Sequence, residues 1–474
     1  MSQLKKIAHN TIIQVIGKAV TLSIGLATLG LITRYLGQEG FGMYTTVYSF
    51  LAVCAILVDL GLQMTVTQMI SDPRHNEAKI LNNALALRLT ASTALLAGAP
   101  LIGLLMPYPP AIKAGIAIAA IGFVFSSVNS TLASYFQKHL ITHQQVIAEV
   151  IGRLVMLGAT AIVVLVDGGL HGLIGATALE VGIITTALVM FIRPHLPLTL
   201  AWDWPVWKAI MQKTWPIAIT IALNLIYFKG DIVIMSLLRT QTEVGLYGAP
   251  YRVLELLINL VYIFLGLLLP VLTVALTMGN KPNAQRIIRL GTDILLAIAI
   301  PLFVGGLIVG KPLMVLMAGP DFAASGALLK VLLIATGMIF IASLCGYVIV
   351  AANQQRRMIK FYALNAAIAI IGYTLAIKAY GYWGAAWMTV VTESCMLLSA
   401  AYVMRKTTGL TLQVTILKPI LAASGAMALS LFLINGFLPV LLTILCGMAV
   451  YAFVLYSTGG ISSATIRHIF SLSS

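Results

Sequence analysis

Fourteen ionisable side chains sit in stretches of this chain that are otherwise apolar. Seven are basic (Lys18, Arg88, Arg153, Lys229, Arg252, Lys330 and Lys418) and seven acidic (Asp59, Glu149, Glu180, Asp231, Glu255, Asp293 and Glu393). A charge at the centre of a membrane-spanning helix costs about 3 kcal/mol even on a lenient insertion scale. Each group must therefore line water, hold a ligand or pair. An ammonium or guanidinium facing a water-filled cavity selects an anion, and a carboxylate there takes a proton or a cation. Catalysis is not indicated: there is no HExxH, no DxD and no phosphate-cradling glycine run at a helix start. The four cysteines, Cys54, Cys345, Cys395 and Cys446, lie in apolar blocks without CxxC or Cys/His spacing, so neither a disulfide framework nor a metal or other cofactor is expected.

Helical spacing sorts these charges. Glu149 and Arg153 are four apart with the acid first, and Arg252 and Glu255 are three apart, so each pair can close on one helix face. Lys229 and Asp231 are two apart and point to different sides of a regular helix. Asp231 and Arg252 lie about 10 and 8 Å of helical rise from the same membrane surface, which makes a bridge between consecutive helices the expected arrangement. No acid lies at helical spacing from Lys18, Arg88 or Lys229 in the sequence, and these are the leading anion ligands, with Arg153 and Arg252 as further candidates. Asp59 and Asp231 can be coupling-ion sites or structural partners, and Glu255 neutralises its own turn. Lys330 and Lys418, nearer span ends, can snorkel to the interface.

The elements that must carry these groups are membrane helices. Sixty per cent of the 474 residues are apolar and 9% charged, against roughly 25% charged in soluble domains. Apolar blocks long enough to span a bilayer, about 20 residues each, occupy 11–33, 42–66, 80–106, 113–136, 145–166, 171–192, 210–238, 248–277, 287–309, 325–351, 359–379, 382–404, 414–434 and 437–457. Assigning the loops alternately puts seventeen Lys and Arg on the amino-terminal side and five on the other. Both termini are therefore expected in the cytoplasm. The basic amino terminus runs into an apolar stretch too long for a signal-peptide core and reads as a retained anchor. The formal net charge of +15 is spread over short loops rather than gathered in a stripe with aromatics, so nucleic acid is not an expected partner.

The longest break, 193–213, carries Pro194, Pro197, Trp202, Trp204, Pro205 and Trp207 and reads as a linker along the cytoplasmic interface. Two echoes flank it. Gly42, Tyr44 and Tyr48 recur as Gly245, Tyr247 and Tyr251, displaced by 203, and Gly172, Gly175 and Ala176 recur as Gly381, Gly384 and Ala385, displaced by 209. The organisation expected is an all-α polytopic membrane protein of about fourteen helices: a six-helix lobe (1–193), a linker (194–209), a second six-helix lobe (210–406) and two further helices with a tail (407–474). Parallel repeats of this kind are a transporter architecture. Lys18, Arg88 and Arg153 fall in the cytoplasmic half of the first lobe and Lys229, Arg252 and Lys330 toward the outer half of the second, a basic path suited to an anionic passenger.

The segments RYLGQEGFGMYTTVYSFLAVCAILVDLGLQ, YFKGDIVIMSLLRTQTEVGLYGAPYRVLELL and YGYWGAAWMTVVTE resemble the polysaccharide flippases of the multidrug/oligosaccharidyl-lipid/polysaccharide exporter superfamily, over about residues 5 to 405. The resemblance implies two six-helix bundles around a cationic cavity. It also implies a flippase in the cell membrane that moves a polyprenyl-diphosphate-linked oligosaccharide between leaflets by alternating access, for surface polysaccharide biosynthesis. Implied partners are that lipid-linked oligosaccharide, membrane lipid, and polysaccharide polymerase or ligase proteins. Related flippases hold the diphosphate with basic residues on the first helix and early in each lobe, places that Lys18 and Arg88 occupy here. The family often has an arginine after the LGL-type residues of the second helix, where this chain reads LGLQMTVTQMI. The alternative is a drug or cation antiporter of the neighbouring multidrug extrusion family, which should show a cavity dominated by acids. A glycosyltransferase or polymerase would need a catalytic loop or domain outside the bilayer, for which the short outer loops leave no room, so no enzyme activity is expected.

Overall fold

The computed structural model describes residues 3–59, 61–139 and 141–460; the side chains of 3–12, 14–16, 56–59, 216–217, 219–222 and 224–228 lie outside that description. The described residues are 88% helical, and no β-strand occurs among them. The helices in order are α1 (Gln3–Asp59), α2 (Leu62–Ser71), α3 (Glu77–Leu105), α4 (Pro110–Lys138), α5 (Thr142–Leu165), α6 (Gly169–Ile192) and α7 (Trp204–Leu238). They are followed by α8 (Gln241–Thr277), α9 (Lys281–Ala318), α10 (Ser325–Ala351), α11 (Ile359–Thr408), α12 (Leu417–Ile434) and α13 (Val440–Ser457). Among the described residues, eleven helical segments are long and apolar enough to cross a membrane.

Two of those segments each hold two of the expected spans. The break expected between 33 and 42 is a kink at Gly37 inside α1, and the one between 379 and 382 is a kink at Gly381 inside α11, with φ of 64° and 58°. Glycine alone reverses the chain in one residue at such positive φ without Cβ strain. Counting both halves of α1 and α11, and α7 with its 35 residues, recovers the fourteen helices expected. The second span differs in detail. It breaks after Asp59, and α2 restarts beyond Gly61, whose φ is 78°.

The chain divides into two compact units, residues 1–245 and 246–474. In the first, α4 packs between α3 and α6, and α5 between α6 and α1. Small residues permit the close crossings, as is usual between membrane helices: a Cβ on Gly122 would come within 3.2 Å of the Ala178 backbone, and one on Gly152 within 2.4 Å of Ile184. Leu81, Leu132, Phe136 and Leu188, all at most 1% exposed, join α3, α4 and α6 in one core. The segment between α6 and α7 is pinned to α3. The Asn82 amide donates to Pro197 O and Thr199 Oγ1 (both 3.1 Å) while its oxygen accepts from Thr199 N, Asp203 N donates to Asn83 Oδ1 (2.8 Å), and Lys79 pairs with Asp203 at 2.6 Å. Trp202 and Trp204 are 64% and 68% exposed, as suits rings held at a headgroup layer.

In the second unit, α10 packs against α9 and α11 and is the most enclosed helix: 72% of its apolar window is buried, against 17% for α13. A helix apolar all round belongs in such a position. Helices α12 and α13 pack on each other and on α9. The start of α12 is tied down by Asp293, which accepts from the backbone N–H groups of Thr415 (2.9 Å) and Ile416 (3.4 Å) and from the Thr415 hydroxyl. A carboxylate beside a helix start also complements the helix dipole.

The two sequence echoes meet inside the fold. Tyr44 shares a hydrogen bond with Thr177 on α6 (3.1 Å), just past Gly172 and Gly175, and Tyr247 shares one with Thr389 on α11 (3.0 Å), just past Gly381 and Gly384.

Two outcomes follow. A Cβ on Gly384 would lie 2.0 Å from the Ala376 carbonyl, whereas one on Gly175 meets nothing within 4 Å. Gly384→Ala should therefore destabilise by about 1–3 kcal/mol, while Gly175→Ala should be neutral or stabilising by up to about 1 kcal/mol, measured as thermal unfolding midpoints in detergent. The Lys79 ammonium holds the Asp203 carboxyl below its ordinary range. A carboxyl with a lowered folded-state pKa stabilises above its unfolded pKa and loses that contribution as pH falls through the folded value. Protease cleavage within 194–203 should accordingly accelerate on acidification below about pH 4, and Lys79→Met should remove that pH dependence.

Candidate functional site

Inside the first unit the membrane-depth charges are held between helices rather than along them. Lys18 on α1 donates to Glu149 Oε2 on α5 at 2.6 Å, and the other oxygen of Glu149 accepts from the Gln145 amide at 3.1 Å. Arg153, one turn beyond Glu149, reaches Glu180 on α6 at 3.2 Å. The Glu149–Arg153 pairing expected from spacing is thus replaced by two cross-helix pairs, and Lys18 does have a partner. The reason is geometric: Glu149 faces α1 beside a close crossing of α1 and α5. A Cβ on Gly17 would fall 2.0 Å from the Val146 side chain, and only a glycine lets the next residue, Lys18, arrive there.

These pairs are unequally sealed. Glu180 is 5% exposed, but the Lys18 and Arg153 side chains keep 44% and 45% of their surface open. Lysine has three donors and arginine five, so both retain N–H groups able to meet an anion without first giving up their carboxylates. Next to Lys18, α1 and α5 form an apolar recess lined by Ile13, Gly17, Val20, Val146, Val150 and Ile151.

Arg88 on α3 is enclosed instead, with 1% exposure. Its guanidinium donates to Thr131 Oγ1 (3.1 Å) and Ser130 Oγ (2.7 Å) on α4, next to a Ser92–Ser127 hydroxyl pair. Sequence reasoning missed these hydroxyls. Their signal was Ser126-Ser127-Val128-Asn129-Ser130-Thr131, five polar residues out of six in an apolar helix. Asp231 on α7 is fully buried and accepts from the Ile232 backbone N–H at 2.7 Å, and Lys229 is half-buried. The side chain of Asp59 lies outside the described residues.

In the second unit Arg252 pairs with Glu255 at 3.0 Å, as their spacing along α8 predicts. Glu393 on α11 is 3% exposed. Lys330 is half-buried on α10, and Lys418 is exposed in the first turn of α12, where its ammonium can reach the interface. Asp293 is structural, through its hold on α12. No group of three or more His, Cys, Asp or Glu side chains that could hold a metal occurs among the described residues.

This arrangement of helices is a membrane transporter fold. A lipid II flippase, MurJ, in its inward closed conformation superposes with a TM-score of 0.76 at 13% identity, covering 94% of this chain and 97% of that one. A multidrug resistance MATE transporter of the MOP superfamily, inward-facing, follows at 0.65 and 13%, covering 83% and 99%. A MOP superfamily transporter from Pyrococcus furiosus, described as having a binding pocket of reversed polarity, gives 0.57 and 13% over 85% and 96%. At these identities the likeness concerns the fold. No curated protein sequence matches the chain. The family comes from the sequence itself: residues 31–327 match the polysaccharide biosynthesis protein family, and the chain belongs to it. The resemblance read from the short motifs is borne out.

The cross-helix pair offers a direct check. In a double-mutant cycle, Lys18→Ala and Glu149→Ala should be non-additive, with a coupling of about 1 kcal/mol given the exposure of Lys18. Glu149 and Arg153 should show none.

Proposed function

We propose that the protein is a flippase that moves a polyprenyl-diphosphate-linked oligosaccharide across the cytoplasmic membrane for surface polysaccharide biosynthesis, and is not an enzyme. The observation that carries this reading is the state of Lys18 and Arg153, cations inside spanning helices that are each paired yet close to half exposed. Held in place by carboxylates that offset the cost of burying them, with nearly half of each side chain still open, they form a preorganised seat for an oxyanion. Family membership supplies the context of polysaccharide assembly, and a lipid II flippase of the same fold is a precedent for carrying a lipid-linked diphosphate.

In this account Lys18 and Arg153 make the first contact with the diphosphate. Arg88, Lys229 and Arg252 complete the path as the protein changes conformation, Arg88 being released from its enclosure between α3 and α4. The prenyl chain stays in the hydrocarbon while the sugar crosses a watery interior. Asp59, Asp231 and Glu255 serve as pairing groups or coupling-ion sites. Both termini face the cytoplasm, and the two six-helix lobes (1–193 and 210–406) with the helices of 407–474 are the moving parts. Polymerase or ligase proteins receive the product on the outer side.

The MATE-like fold together with the buried carboxylates Asp231 and Glu393 favours one second reading, a drug or cation antiporter. Cells that depend on this protein for their surface polysaccharide separate the two. Lys18→Ala and Arg88→Gln should each abolish surface polysaccharide while leaving a folded, monodisperse protein in the membrane. Wild-type polysaccharide in both variants, or drug sensitivity as the sole defect, would overturn the flippase reading.

A further inference from the structure

Five basic residues gather where α11 begins and ends: Arg356 and Arg357 in a short turn (Gln355–Met358), Lys360 in the first turn of α11, and Arg405 and Lys406 in its last. All five are exposed. The four acids of the second unit lie elsewhere. Glu255 pairs with Arg252, Asp293 holds the start of α12, Glu393 is buried within α11, and Asp321 precedes the opposite end of α10. No carboxylate of this unit therefore answers the five cations. In the first unit the loop cations Arg74 and Lys138 are paired, with Asp72 and Glu77.

Membrane insertion does not explain the difference, because the rule that puts Lys and Arg on one side is nearly indifferent to Asp and Glu. The helix dipole favours Arg405 and Lys406 at the end of α11 but disfavours Lys360 at its start. What positions two of these cations is aromatic. Lys360 Nζ lies 5.1 Å from the Phe361 ring centroid, and Lys406 Nζ lies 5.5 Å from that of Tyr402, to whose hydroxyl it donates at 3.2 Å. The two rings meet edge to face at 6.1 Å. A ring attracts a cation without neutralising it, so both ammonium groups are brought to one place with their charge intact.

The same rings end an apolar stripe. Helix α11 folds back at Gly381, and its halves run antiparallel in contact. A Cβ on Gly372 would fall 2.3 Å from Met388 Cε, and the Tyr373 hydroxyl shares a hydrogen bond with Thr389 at 3.1 Å. At the register these contacts set, Leu375, Ile371 and Leu364 of the first half stand opposite Trp387, Val391 and Leu398 of the second, and all six are exposed. Each row keeps to one helix face, and the rows run on to Lys360 and to Tyr402 with Lys406. From Lys360 to Leu375 is about 22 Å of helix, longer than one leaflet's half of the hydrocarbon core, about 15 Å.

We propose that this face of the α11 hairpin binds an anionic glycerophospholipid of the surrounding membrane, its phosphate held by Lys360 and Lys406 and an acyl chain laid along the stripe toward Trp387. An acidic protein segment would meet the cations and leave the stripe unused; the continuity of charge with apolar surface is what selects a lipid. The site lies wholly in the second unit and is independent of what the protein transports.

Native mass spectrometry of the purified protein tests it. Phosphatidylglycerol should be retained over phosphatidylcholine of the same chains by about tenfold or more, and Lys360→Gln with Lys406→Gln should remove that preference. Lys281→Gln with Arg286→Gln takes the same charge from exposed positions of α9 and should leave it. Equal retention of the two lipids, or equal loss in both double variants, would overturn the proposal. A second measurement needs no charge variant: with Trp387 as the sole tryptophan, phosphatidylglycerol brominated on its acyl chains should quench at a lower mole fraction than brominated phosphatidylcholine. Equal quenching would also overturn it. Hexaglutamate binding that depends on Lys360 and Lys406, without a preference for phosphatidylglycerol, would assign the cations to a protein partner and overturn the lipid site.

Discussion

The constraint on which the structure depends is that hydrocarbon cannot solvate a charge, so every ionised group at membrane depth must be answered by another part of the protein. In the first unit this need fixes the neighbours. Lys18 calls for α5, Arg153 for α6, and Arg88 for the hydroxyl run of α4. Helix packing in a membrane gains little from the hydrophobic effect, because lipid tails are as apolar as leucine. Polar ties between helices, and the glycines that let helices approach, therefore take over the specifying role that a core has in a soluble protein. The Gly17–Val146 crossing and the Lys18–Glu149 pair one residue further on are two parts of one such contact.

In the proposed flippase, Lys18 and Arg153 bind the passenger because they are incompletely enclosed. A carboxylate buried among hydrogen-bond donors is only a structural tie, as Asp293 is for α12. A pair that leaves nearly half of its cation open, as Lys18–Glu149 and Arg153–Glu180 do, is a tie that the proposed function reads as a seat for an anion. The first unit thus presents fixed positive charge without the instability of an isolated buried cation.

Much of this was legible in the sequence. Apolar block lengths gave the fourteen helices, the glycine–tyrosine echo marked the places where Tyr44 and Tyr247 each bond a threonine of a later helix, and the short motifs gave the family. The Arg252–Glu255 pair was readable because both residues lie on one helix. Partners on different helices were not. Glu149 lies four residues from Arg153, but which face of α5 meets α1 is decided by Gly17 and Val146, residues distant in sequence. Breaks were misjudged in extent for a related reason: at Gly37 a whole predicted loop is reduced to one residue with positive φ, and turn composition does not reveal that glycine alone makes the bend. The hydroxyls around Arg88 were overlooked because serine and threonine in membrane helices usually bond their own backbone, as Thr90 and Thr93 do here.

The central claim is that this molecule carries a lipid-linked diphosphate sugar. It is tested most directly by reconstituting the purified protein in liposomes with a fluorescent polyprenyl-diphosphate saccharide and following its exposure to an external quencher. The account predicts protein-dependent transfer between leaflets, abolished by Lys18→Ala and inhibited by excess unlabelled polyprenyl diphosphate. Absence of transfer by protein that is folded and that exchanges cationic drugs for protons or sodium would contradict it.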